Sequence, residues 1–114
     1  MEIIEIDNCT EIRTEELPGV TKQIPIGRNT GSDEIIMRLF TLDPGAATPY
    51  HTHDFPHLVK IESGKGVLID NEAKEHPISV GSYIYIADNE RHGFKNTGNE
   101  PFKFLCIVPS RGEA

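Results

Sequence analysis

The sequence predicts an all-β fold built as one domain over residues 1–114, and three observations carry that expectation. Strand-like runs recur every eight to twelve residues, turn formers separate them, and helical periodicity is hard to find. With 114 residues, 37% of them hydrophobic and 25% charged, the chain has room for one core; ten glycines and eight prolines supply its turns.

The elements follow in order. Strands are expected over 20–26, 35–42, 57–62, 66–70, 82–87, 92–95 and 102–108. Between them, 27–31, 43–45, 63–66, 70–71 and 96–99 are rich in Gly, Asn, Asp and Pro, whose fixed or positive φ suits turns. Residues 1–30 form an N-terminal strand or arm: 3–6 alternates like a strand, and 10–17 reads as a short helical turn or a loop. A leading strand of this kind is expected to pair with a neighbouring subunit's sheet, because an unpaired edge is a liability.

Four of the five histidines form one pattern, His51-Thr-His53-Asp-Phe-Pro-His57, followed 35 residues later by His92. On a strand, His51 and His53 project to the same face with ~7 Å of backbone between them, close enough to share an ion. His57 and His92 would complete a shell of neutral nitrogen donors suited to Zn, Cu, Fe or Ni and tolerated by Mn. His76 has no partner at ligand spacing; it precedes Pro77 in what reads as a polar surface turn. Asp54, opposite in alternation to His53, and Glu90-Arg91 are read as exposed.

Formal charge is −7 and no basic stripe interrupts it, which argues against nucleic acid and anionic membrane surfaces as partners. No run approaches the ~18 apolar residues of a membrane span, and Met1-Glu-Ile-Ile-Glu5 lacks the marks of a signal peptide, so a cytoplasmic location is expected. Cys9 and Cys106 are expected as reduced thiols.

The frame around the histidines resembles a known family. Gly45, five residues, His51, one residue, His53, three residues, His57, six residues and Gly64 resemble the first motif of the cupins (45–64), with His57 where a glutamate usually stands. Gly81 to Asn96 is similar to the second motif (81–96), with His92 in register and Ala87 and Asn89 in place of a proline and a glycine. The resemblance implies a double-stranded β-helix, or jelly-roll barrel, with the metal inside one end, and a homodimer. It is closest to four-histidine cupins of bacteria and archaea, which implies one divalent ion per chain, manganese first, with Fe, Ni, Zn or Cu as alternatives.

In that frame the replacement at His57 has chemical content. Four neutral imidazoles cancel none of a divalent charge, so the site should favour an anionic, chelating small-molecule substrate. If the last strand turns Phe102, Phe104, Cys106 and Val108 inward, then Phe104 and Cys106 line the pocket, as do Phe94 beside His92 and Val59 and Ile61 beside His57. Arg38 cannot be assigned a face, since both faces of its strand carry apolar residues.

A mononuclear metal-dependent oxygenase or dioxygenase is the leading expectation, because no spacing places Tyr50, Tyr83, Tyr85 or a glutamate beside the histidines as a general base. A metal-dependent sugar isomerase or epimerase would want polar walls; a non-catalytic module that binds a small ligand or metal is the third reading. Other His-x-His families fit worse: metallo-β-lactamase-like sites want an aspartate where Phe55 stands, and amidohydrolase barrels run to ~250 residues.

Overall fold

The computed structural model describes residues 1–113. Eight strands follow in chain order: β1 Val20–Ile26, β2 Ile35–Leu42, β3 His57–Ser63, β4 Lys65–Ile69, β5 Glu75–Ser79, β6 Tyr83–Ile86, β7 Gly93–Lys95 and β8 Phe102–Pro109. The only helices among the described residues are single 3-10 turns at Ile6–Asn8, Arg28–Thr30 and Ser110–Gly112, and none is long and apolar enough to cross a membrane.

Two antiparallel sheets enclose one core, the architecture of a β jelly roll. The larger runs β1-β2-β8-β3-β6 and the smaller β5-β4-β7. Strict alternation in β8 buries Phe102, Phe104, Cys106 and Val108 and leaves Lys103 exposed. Register then sets their neighbours: Arg38 and Phe40 of β2 lie opposite Cys106 and Phe104, while Val59 and Ile61 of β3 meet the same pair from the other side. Phe104 stacks on Phe94 at 4.4 Å and on Phe40 at 5.4 Å between ring centroids, joining the sheets through aromatic packing.

Turn chemistry holds the corners. Gly64 between β3 and β4 sits at φ +78°, and a Cβ there would lie 2.4 Å from the Pro101 carbonyl oxygen. Only glycine fits that approach. Asn89 takes φ +67° before His92, so Asp88-Asn89 makes the turn for which the second motif usually supplies a proline and a glycine.

Two expectations fail. Residues 3–6 form no strand: Ile3 is exposed, the chain turns into a 3-10 helix at Ile6, and the only β pairing described ahead of β1 is a bridge from Ile12 to Lys22. Alternation without a partner ladder does not make a strand. His76 and Pro77, read as part of a polar turn, lie in β5, with His76 opposite Leu68 and Pro77 opposite Val67. As an edge strand burying only Ile78, β5 tolerates a proline and carries little apolar signal.

Candidate metal centre

Residues 46–51 run beside β7 as a broken edge, through bridges Ala47–Lys95 and His51–His92. His51 and His92 exchange two backbone hydrogen bonds, the amide of each donating to the carbonyl of the other at 3.1 and 3.0 Å. The Asn89 amide donates to the His53 carbonyl at 2.7 Å, fixing the next extended residue. Asn96, fully buried, donates through Nδ2 to the Leu42 and Glu100 carbonyls and accepts from the Gly98 amide, anchoring the far end of β7. The backbone thus brings two segments far apart in sequence to one point.

At that point His51, His53 and His92 each offer a ligand nitrogen, all within 4.8 Å of one another. Two donors on opposite sides of an ion at ~2.1 Å stand ~4.2 Å apart, so the trio is close to coordinating span. His57, the first residue of β3, stands beside the trio, its ring 4.6 Å from His92 and 5.2 Å from His53. The His92 Nδ1 lies 2.8 Å from the Glu90 carbonyl, which turns Nε2 to the cluster when Nδ1 carries the proton. The Nδ1 atoms of His53 and His57 are buried without a hydrogen-bond partner among the described residues. Buried orphan nitrogens in a set of imidazoles fit a divalent ion.

Electrostatics agree. Burial pushes the His51 imidazole down to about 4, helped by the nearby His53 and His92. His57 falls to about 3, through burial first and then the fields of His92 and Arg38. His53 is lowered by burial, His92 and Arg38, with Asp54 opposing. These three side chains are therefore neutral, the form that binds metal, at neutral pH.

A cavity of about 190 Å³ opens onto the cluster, lined by the four histidines, Arg38, Phe40, Phe94, Phe104 and Cys106, with Leu17, Thr48, Pro49 and Gly112. The cupin-domain family matches residues 38–108, a span that takes in every one of these wall residues except Leu17 and Gly112. The chain belongs to the cupins. It is 34% identical over 86 residues to auxin-binding protein 1 of Arabidopsis thaliana, a stretch covering 68% of this chain and 43% of that protein. The chain thus spans less than half the length of that curated relative. A cupin 2 domain-containing protein of Halorhodospira halophila is 33% identical, with a TM-score of 0.76 over 85% of this chain and 68% of that one. The polyketide cyclase RemF of Streptomyces resistomycificus shares the fold at a TM-score of 0.89 and 22% identity, over 96% of this chain and 80% of that one.

The pocket of this cupin corrects the sequence reading in three places. Val59 and Ile61 do share the inward face of β3 with His57, but at 3% and 0% exposure they are packed within the core and do not line the cavity, whereas Phe40 stands in the wall with Phe94, Phe104 and Cys106. The walls are not wholly apolar: Arg38 is buried on the inner face and lines the cavity. A glutamate does reach the site's surroundings, since Glu113 lies 3.4 Å from Arg38. Arg38 was discoverable as the one charge in its strand; Glu113, 75 residues away, gave no local signal. Phe55, stacked on His53 at 4.6 Å, was missed as well. Cys9 and Cys106 are both free thiols.

Proposed function

We propose that this cupin holds one divalent transition metal, manganese by preference, on His51, His53, His57 and His92, and acts as an oxygenase on a small anionic substrate that chelates through two oxygens. The observation that carries this reading is the convergence of imidazoles on a pocket lined by no Asp or Glu among the described residues. With no anionic ligand in the set, the charge of the ion is left for an anionic substrate to cancel. A divalent transition metal held there would supply Lewis-acid polarisation and, as manganese, a redox-active centre. The chain's own part is positional. The imidazoles fix where the chelating oxygens sit, and Phe40, Phe94 and Phe104 exclude water around them.

Metal analysis of purified protein, with oxygen uptake over a panel of diketones, catechols and flavonols, tests the reading. Consumption that requires both the metal and His53 supports it. Tight binding of a phosphosugar without oxygen consumption would move the protein to the isomerases, and inertness in both assays to the binding modules.

A second copy of the chain is the macromolecular partner we propose. Cross-strand pairing aligns Ile26, Met37, Ile107, Leu58 and Tyr85 in one apolar row across all five strands of the large sheet, on its outer face. Leu58 is 51% and Tyr85 65% exposed. An apolar face of this kind suits a two-fold dimer, which needs ~800 Å² from each protomer. Light scattering should show a dimer that Leu58→Asp converts to monomer; a wild-type monomer at tens of micromolar would refute it.

A further inference from the structure

Arg38 is more buried than its partners justify. Its side chain is only 10% exposed, and burying a cation is costly unless it is paired and its donors are met. A guanidinium has five N–H donors. Of these, Nη2 donates to Cys106 Sγ at 3.1 Å, Nη1 reaches Glu113 Oε1 at 3.4 Å, and buried Nε has no partner among the described residues. A thiol is a weak acceptor, and burial pushes Cys106 up, so it supplies no negative charge. The guanidinium also lies 5.1 Å from the Phe40 ring centroid, a contact that leaves its N–H groups unmet.

Glu113 is a loosely engaged counter-ion. Both its carboxylate oxygens accept from Lys22 Nζ, at 2.8 and 3.0 Å, whereas 3.4 Å to Arg38 is beyond the usual hydrogen-bond range. Lys22 is therefore its firm partner. The segment that carries it is separately tethered: the Ser110 amide donates to the Glu34 carbonyl at 2.9 Å, and Arg28 donates to the Ser110 and Glu113 carbonyls. Gly112 of the same segment lines the pocket and packs against Phe55, whose ring stacks on His53.

Resting on the chelating-substrate reading above, we propose that Arg38 binds a carboxylate carried by the substrate in addition to its chelating oxygens, and that this carboxylate replaces Glu113 at the guanidinium. The exchange orphans no charge, because Glu113 stays on Lys22 while the incoming group takes the guanidinium's unused donors in a forked contact. The substrate class narrows accordingly to small chelating acids, of single-ring size in a cavity of about 190 Å³.

The test is calorimetric binding to metal-loaded protein under argon, with catechol and protocatechuate as probes that share a chelating head and differ by one carboxylate. Wild type should bind protocatechuate about 10- to 100-fold more tightly, the range of a hydrogen-bonded charged group. Arg38→Met should erase the difference while metal content stays unchanged. Glu113→Gln should widen the difference by removing the competitor. Equal binding of the two probes to wild type, or weaker protocatechuate binding in Glu113→Gln, would overturn the proposal even if catechol binding requires metal. An Arg38-dependent preference for the acid that persists without metal would support the role of Arg38 and overturn the chelation reading instead.

Discussion

Two sets of histidines in this cupin share a side chain and little else. His51, His53, His57 and His92 crowd together around a pocket whose wall, among the described residues, carries no carboxylate. His76 lies out on edge strand β5, half exposed, with Nε2 2.6 Å from an Asp70 carboxylate oxygen. Asp70 is itself held down at about 2, by the His76 hydrogen bond first and then by the Lys74 and Glu72 amides. The difference teaches that the partner sets the imidazole's job. The His76 ring is engaged in a hydrogen bond to a carboxylate, whereas burial keeps His51, His53 and His57 unprotonated and available to a cation.

The comparison breaks most directly at His53. His53→Ala should lower metal affinity by more than ~100-fold, beyond the 10- to 100-fold typical when only a hydrogen-bond partner of a ligand is lost. Titration with a competing chelator measures it. The aromatic side of the pocket comes next: Phe104, buried and stacked on two other phenylalanines, should cost ~3–5 kcal/mol when cut to alanine, read by denaturant unfolding.

A smaller effect separates the sets by pH. Between the ordinary imidazole value of 6.5 and the folded values of about 4 for His51 and about 3 for His57, the unfolded chain binds more protons than the fold does. Stability of the metal-free protein should therefore decline as pH drops from 6.5 towards 4, and His51→Gln should flatten that decline in thermal melts. Protons compete with the metal for the folded nitrogens only near their own lowered values, so the loaded protein should keep its ion through that interval and lose it as pH falls through about 4 and below. Smallest of all, His76→Ala should leave metal affinity unchanged in the same titration.

What could be read from the sequence divides along similar lines. The period-two spacing of His51 and His53 and the glycine frame were legible because local geometry determines them, and the bounds of β1 and β2 were legible because turn residues flank them on both sides. The inward face of β8 followed from its alternation, and so did Phe104 and Cys106 as pocket wall. Val59 and Ile61 show the limit of that reasoning: a shared face says which side of the sheet a residue is on, not whether larger side chains stand between it and the cavity. Arg38 was ambiguous because β2 is apolar on both faces, its outer one carrying Met37 and Leu39. The Arg38–Glu113 contact joins positions that only tertiary structure brings together. β5 escaped because an exposed edge strand with a proline looks like a turn until its partner is known.

Anomalous diffraction at the metal edge, from crystals of protein loaded with one equivalent of manganese, tests the central claim most directly. The account predicts a single peak within coordinating distance of His51, His53 and His92, with His57 drawn in as the fourth ligand. A lattice of well-ordered protein with no peak there, or with the ion at Asp70 and His76 instead, would contradict it.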